Sequence, residues 1–176
     1  MQQSSFQRWD ELYHAALGQA GYFTLAQAKR AGLSDQCLYH HLQTGRAHRV
    51  LRGVYRLHQF PHSEHEDLMA LWLWSGHNGV FSHITALSLL QLSDALPKGI
   101  HMTLPSLWQK RRMKYPQGVT VHFSDLQKEE RTWFDGVPIT TVSRTLSDCQ
   151  QAHLDDDLLE QAYREARERG LLPSAA

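Results

Sequence analysis

Cysteine is scarce in this sequence, and long hydrophobic runs are missing from it. Of the 176 residues only Cys37 and Cys149 are cysteines, and they lie far apart in unrelated contexts. A disulfide framework or a cysteine zinc site needs more than this, so we expect buried free thiols. No apolar stretch approaches the roughly 18 to 20 residues that span a bilayer. The opening residues MQQSSFQRWDE also lack a basic segment followed by an apolar one, and we expect a cytoplasmic protein with no membrane partner.

The sequence has no overall excess of charge, because 18 Lys and Arg balance 18 Asp and Glu. The two signs are unevenly distributed along the chain. Residues 1–58 hold seven basic and three acidic side chains, a net charge of +4, whereas residues 59–176 carry a net charge of −4. A basic N-terminal region favours a polyanionic partner there.

Two short helices with a tight turn between them are predicted in the basic region, after a first helix over 7–20. Thr24 and Gln27 have the spacing of a capping box, which opens a short helix that Gly32 closes. Ser34 can cap the next helix, predicted over 35–44 with Leu38 and Leu42 on one face. Only three or four residues separate the two helices, which is typical of a helix-turn-helix that reads the DNA major groove.

A charged hairpin follows these helices. The pairs Val50-Leu51 and Val54-Tyr55 flank Arg52-Gly53, as two short strands flank a tight turn. A hairpin directly after a helix-turn-helix is a wing, whose arginines can lie along phosphates or enter the minor groove. We therefore predict a winged helix-turn-helix DNA-binding domain over residues 1–58.

The composition changes after Leu57, where HQFPHSEHED indicates a linker into a helix over 64–75, with Ser63 as its cap and Glu66 as the box partner. Further elements alternate in type. Strands are predicted over 80–81, 100–104, 119–123 and 137–141, and helices over 82–91, 143–151 and 155–169. The predicted fold class is α+β, with a mixed α/β C-terminal domain over residues 59–176.

Several ordered blocks of the sequence resemble one family. The run GYFTLAQAKRAGLSDQCLYHHLQTGRAHRVLRGVYRL resembles the winged-helix domain of the AbiEi-family antitoxins of bacterial type IV toxin-antitoxin systems. FSHITALSLLQLSD, IHMTLP and GVPITTVSRTLSDC resemble blocks that follow in that family, so the likeness covers roughly residues 20–150. The resemblance implies an autorepressor that binds operator repeats, with a functional link to a nucleotidyltransferase-like toxin.

The candidate DNA contacts are polar residues on the helix face opposite the leucines and the arginines of the hairpin. Glutamine suits a bidentate contact with adenine, and arginine suits phosphates. Arg52, at the hairpin tip, is the leading candidate, and strand alternation means that the arginines cannot all point the same way. The alternative for both groups is a solvated surface. The candidates are Ser34, Gln36, Tyr39, His40, Gln43, Arg46, Arg49, Arg52 and Arg56.

Other polar groups are interpreted as structural. His83 stands alone at a helix start and is expected to form structural hydrogen bonds rather than to bind a metal or act in catalysis. Ser143 is the expected cap of its helix, and Arg144 can pair with Asp148 four residues later, although an anion site at this helix start is the alternative. The cluster of His58, His62 and His65 lacks metal-site spacing and indicates a solvated linker. A predicted loop contains a basic group that could contact DNA flanking the binding site, contact a partner protein, or have no partner. This group consists of Lys110, Arg111, Arg112 and Lys114.

These observations predict a sequence-specific transcriptional repressor that needs no catalysis, cofactor or metal. We expect it to occupy an inverted repeat in duplex DNA as two copies, through a homodimer or DNA-assisted binding, because one short half-site discriminates poorly in a genome. A nuclease or nucleotidyltransferase delivered by the winged helix is the first alternative, although such a core normally gathers carboxylates around metals. A protein-interaction module, which would lack salt-dependent DNA affinity, is the second.

Overall fold

The computed structural model describes residues 5–172, and this chain divides into two compact units. The first unit ends at His77 and the second begins at Asn78. Both contain helices and strands, so the predicted α+β class is confirmed. Within the described residues, no helix is long and apolar enough to cross a membrane.

Over residues 5–77, the first unit combines four helices with a three-stranded antiparallel sheet. The strands have the order β1-β3-β2, with Tyr22 opposite Arg56 and Ala47 opposite Leu57. In chain order the elements are α1 (Ser5–Leu17), β1 (Tyr22–Thr24), α2 (Leu25–Arg30), α3 (Asp35–Gln43), β2 (Ala47–Leu51), β3 (Val54–Leu57) and α4 (Glu66–Trp74).

Two predicted caps position α2 and α3. The Gln27 backbone N–H donates to Thr24 Oγ1 at 3.1 Å, and the Thr24 N–H donates to Gln27 Oε1 at 2.7 Å, which completes the predicted capping box. Ser34 Oγ accepts from the Cys37 N–H at 3.2 Å at the start of α3. Side-chain acceptors at these positions satisfy backbone donors that have no partner inside the helix.

The core of the first unit lies where the helices meet one face of the sheet. Leu12 and Ala16 of α1 pack with Phe23 of β1, Leu38 of α3 and Tyr55 of β3. The Phe23 and Tyr55 rings stack with centroids 5.5 Å apart. This apolar cluster sets the orientation of α3, because the helix buries one side and leaves the other outside.

The fourth helix belongs to the first unit, whereas the sequence placed a domain boundary between residues 58 and 59. Leu68 and Leu71 of α4 are buried, and the helix packs on β1, β2 and β3. The predicted cap at Ser63 is wrong, because α4 begins at Glu66 with His65 at the N-cap position. The carboxylate of Glu66 does accept from the Ser63 N–H at 3.4 Å, and it also binds Arg56, which attaches the start of the helix to β3.

In the part of the second unit that the structure describes, residues 78–172, a five-stranded mixed sheet is accompanied by three α-helices. The strand order is β6-β5-β4-β8-β7, in which β5 and β6 are parallel and β4 and β8 are parallel. The elements are β4 (Val80–Phe81), α5 (His83–Leu89), β5 (Ile100–Leu104), β6 (Val119–Phe123), β7 (Arg131–Phe134), β8 (Val137–Thr140), α6 (Val142–Gln151) and α7 (Asp156–Glu168), with short 3-10 helices at Ser106–Lys110 and Lys128–Glu130.

Candidate nucleic-acid interface

Helix α3 has one buried face and one exposed face. Leu38 and His41 are buried on the inner face, and Leu42 is partly buried. The predicted base-reading residues lie on the other side, and the Tyr39 residue is 61% exposed. The exposed residues of this face are Gln36, Tyr39, His40 and Gln43, with Ser34 exposed at the cap. This arrangement leaves two amides, a phenol and an imidazole for an external partner.

His41 holds the inner face of α3 against α1. Its ring stacks on Trp9 with centroids 3.8 Å apart and an interplanar angle of 25°. Neither ring nitrogen has a hydrogen-bond partner among the described residues. Burial, reinforced by the positive charge of Arg46, lowers the pKa of His41, so the ring is neutral near pH 7. His41 was not predicted as a functional residue, although it follows the helical spacing of Leu38.

The hairpin carries three exposed arginines. Arg46 precedes β2, Arg49 lies within it, and Arg52 occupies the turn to β3. Arg49 is opposite Tyr55 in the antiparallel register, so it lies on the sheet face against which α1, α2 and α3 pack. Arg49 is nevertheless exposed. The Leu25 N–H donates to the carbonyl of Gly53 at 2.9 Å, which holds the hairpin tip against the start of α2.

Arg56 does not belong to this surface, and its assignment as a DNA contact is wrong. The residue is 2% exposed. Its Nη2 donates to Glu66 Oε2 at 2.9 Å and to the carbonyls of Phe60 and Pro61 at 3.1 and 2.9 Å. Arg56 is opposite Tyr22 in the register, so the two side chains share one face of the sheet, and the guanidinium carbon lies 5.5 Å from the Tyr22 ring centroid. Helix α4 covers this face.

The structure adds three basic side chains that were not predicted as contacts. Lys29 and Arg30 are exposed in the last turn of α2, just before the turn into α3, and His48 is exposed on β2. Lys29 Nζ lies 3.3 Å from a carboxylate oxygen of Asp35. The two consecutive basic residues at the end of α2 could have indicated a DNA contact. The same pattern also occurs where basic side chains only stabilise the negative end of a helix dipole, so it does not distinguish the two roles.

Positive charge is concentrated locally on the first unit. Up to His77 the unit holds seven Lys and Arg and six Asp and Glu, a net charge of +1 rather than the +4 counted to residue 58. The three additional acids are Glu64, Glu66 and Asp67, which lie in the segment that leads into α4 or in its first turn. Attraction of a polyanion therefore depends on the exposed cations around α3 and the hairpin.

In the second unit the predicted pairing of Arg144 with Asp148 is confirmed. Arg144 Nε donates to Asp148 Oδ1 at 2.7 Å, Nη1 donates to Glu130 Oε1 at 2.8 Å, and Nη2 donates to Ser124 Oγ at 3.1 Å. These bonds fix α6 to segments beside the sheet.

The predicted cap at Ser143 is wrong, because Thr141 occupies the N-cap position. The basic residues from Lys110 to Lys114 lie at the end of a 3-10 helix and in the loop after it.

Comparison with known proteins supports the regulatory interpretation of the N-terminal region. No curated protein matches the chain. Among solved structures, the RV2827C protein from Mycobacterium tuberculosis is similar over 68% of this chain and 46% of its own, with 15% identity and a TM-score of 0.41. This chain therefore spans less than half the length of that protein. The family resemblance inferred from the sequence is confirmed at residues 10–58, which match the AbiEi antitoxin family of transcriptional regulators.

Proposed function

We propose that the first unit is a winged helix-turn-helix that binds duplex DNA, and that the chain represses transcription of its own operon as the antitoxin of a type IV toxin-antitoxin pair. The observation that carries this proposal is the exposed polar face of α3 beside a hairpin with three exposed arginines. The family match at residues 10–58 supports the same function.

The order and pairing of the elements support a winged helix. Helices α2 and α3 are joined by a turn at Ala31–Ser34, and the β2-β3 hairpin pairs with β1, which precedes α2. The nine residues of α3 extend about 13 Å at 1.5 Å per residue. An α-helix enters the major groove, which is about 12 Å wide, and Gln36 and Gln43 could then hydrogen-bond base edges.

The arginines supply affinity, whereas α3 supplies sequence preference. Arg46, Arg49 and Arg52 carry charges that can neutralise phosphates or enter the minor groove beside the helix. Because one α3 reads only a few base pairs, two copies on an inverted repeat are needed for discrimination within a genome. The second unit provides assembly or the antitoxin function, through a functional link to a nucleotidyltransferase-like toxin. Repression follows from occupancy of the promoter and requires no catalysis.

The test is fluorescence anisotropy of the full chain on the DNA upstream of its own gene, measured across a salt series. Each phosphate contact contributes about −0.9 to the slope of log affinity against log salt. Arg52→Gln is expected to weaken binding and make the slope less steep by about 0.9. Arg164→Gln, an exposed change on α7 in the second unit, serves as the control and should leave both quantities unchanged.

Equal affinity for the upstream DNA and a scrambled duplex would refute sequence-specific binding. A reporter gene driven by the same upstream DNA tests repression separately. Wild-type protein should reduce reporter expression, and Gln43→Ala should restore it while leaving the salt slope unchanged, because a base contact carries no phosphate charge. Metal-dependent loss of the DNA during these assays would favour the nuclease alternative.

A further inference from the structure

Three histidines distant in sequence come together in the second unit. His83 is the first residue of α5, His101 lies on β5, and His122 lies on β6. In the parallel register of these strands, His101 is opposite Thr120 and His122 is opposite Thr103. The two strand histidines are therefore diagonal neighbours on one face of the sheet, which is the face that His83 meets.

The three rings are close enough to share one ligand. His101 Nδ1 lies 3.0 Å from His122 Nε2, and the His83 and His122 rings stack with centroids 3.5 Å apart. One nitrogen from each residue can be chosen so that all three lie within 4.8 Å of one another. Tetrahedral zinc with bonds of 2.0–2.1 Å separates its nitrogen ligands by about 3.4 Å, so rotation of the rings out of their stacked arrangement would bring these nitrogens around one ion.

Burial favours the neutral form of the three imidazoles. Each histidine is partly buried, and burial lowers the pKa of His101 and His122. Burial, with the nearby imidazoles and Arg144, lowers the pKa of His83 to about 3. A neutral imidazole coordinates a metal ion through the ring nitrogen that carries no proton.

Groups around His83 can fix the orientation of its ring. Its Nδ1 lies 2.9 Å from Ser82 Oγ, which accepts from Thr103 Oγ1 at 2.7 Å. The same Nδ1 lies 4.0 Å from Asp148 Oδ2, a buried oxygen with no hydrogen-bond partner among the described residues. A metal on Nε2 would hold the proton on Nδ1, beside this carboxylate. Metal-binding histidines usually have a carboxylate or another acceptor in this position.

We propose that His83, His101 and His122 bind one divalent first-row transition-metal ion of the zinc class. Imidazole ligands suit zinc, copper and nickel, whereas magnesium and calcium prefer oxygen, and this cluster contains no carboxylate. His83 and His101 also line a cavity of about 590 Å³, beside Lys98 and His153. Three protein ligands leave a fourth position for water or another small ligand, which can reach the ion from this cavity.

The test is titration of the metal-free full chain with Zn²⁺ by calorimetry, and with Co²⁺ by visible absorption. Wild-type protein is expected to bind one ion per chain at this site and to give the absorption of tetrahedral Co²⁺. His101→Gln and His83→Asn should each weaken Zn²⁺ binding by about 100-fold or more, because both remove a direct ligand. Unchanged Zn²⁺ affinity in both variants would overturn the proposal, and so would wild-type protein that binds no Zn²⁺.

His153→Asn is a matched control for His83→Asn. Both histidines have a left-handed backbone, with φ of 54° at His153 and 53° at His83, and both line the same cavity. Asparagine tolerates this backbone region, and the control should retain Zn²⁺ affinity. Imidazole nitrogen shifts in NMR spectra of wild-type protein remain informative if a variant fails to fold. Zn²⁺ should shift the nitrogens of the three histidines together, and shifts at other histidines alone would refute the site.

Discussion

Replacement of Arg56 by methionine tests whether this arginine stabilises the fold rather than contacts DNA. The change keeps an unbranched side chain but removes the donor from Glu66 and from the carbonyls of Phe60 and Pro61. Loss of one member of a buried ion pair costs about 3–5 kcal/mol. The Glu66 side chain is 22% exposed and lies 2.7 Å from His62 Nδ1, so part of its charge stays solvated and hydrogen-bonded. We therefore expect a loss near the lower limit, about 3 kcal/mol.

The assay is urea unfolding followed through amide NMR signals, which report the first and second units separately. A loss of about 3 kcal/mol shifts the urea midpoint of the first unit by about 1.5 to 3 M when the slope is 1 to 2 kcal/mol per M. Arg52→Met is the control, because Arg52 is exposed in the hairpin turn and its loss should change stability by less than about 0.5 kcal/mol. The second unit should unfold as in the wild type in both variants.

A second substitution distinguishes an unpaired charge from a packing defect. Glu66→Leu added to Arg56→Met replaces the ion pair with apolar side chains and should recover much of the lost stability. On DNA, folded Arg56→Met should retain the wild-type salt slope, whereas a slope reduced by about 0.9 would return Arg56 to the interface. Equal urea midpoints for Arg56→Met and wild type would refute the reasoning from burial.

Two further perturbations test other parts of the first unit. Because the pKa of His41 is lowered by folding, the unfolded state takes up a proton first as the pH falls below about 6.5. The free energy of unfolding then falls by up to about 1.4 kcal/mol per pH unit. His41→Phe should reduce this pH dependence when urea midpoints are compared at pH 7 and 5.5. An unchanged dependence would contradict a lowered pKa at His41. Gly21→Ala should lower Tm more than Gly53→Ala, because the added Cβ at Gly21 would clash with Phe60. Equal decreases in Tm would contradict this clash. Both glycines have positive φ, but only at Gly21 would a Cβ meet Phe60, at 2.3 Å from its Cγ.

The parts of the fold that sequence patterns predicted are those with local signals. The Thr24 and Ser34 caps, the two faces of α3 and the turn at Arg52-Gly53 depend on residues within a few positions of one another. Strand β7 was not predicted, because three of its four residues are exposed and it has no alternating apolar pattern. The exposed surface around α3 could thus be predicted, but whether it binds DNA remains a proposal.

The burial of Arg56 and the histidine cluster could not be derived from local patterns. Strand alternation separates the arginines into two sets but does not indicate which sheet face another helix covers. That face is decided by α4, which packs on the sheet through buried residues after the hairpin. His83 was isolated in the sequence, and its neighbours His101 and His122 depend on the register between β5 and β6.

The contact between β3 and α4 has a consequence for how the first unit folds on its own. The segment that matches the regulator family ends at residue 58, before Glu66 and before the buried Leu68 and Leu71 of α4. A fragment cut there would expose the Arg56 side of the sheet to solvent and leave its guanidinium without the carboxylate that neutralises it. The segment that matches the family is therefore shorter than the compact first unit, and a fragment has to extend through α4 to keep the Arg56 side of the sheet covered.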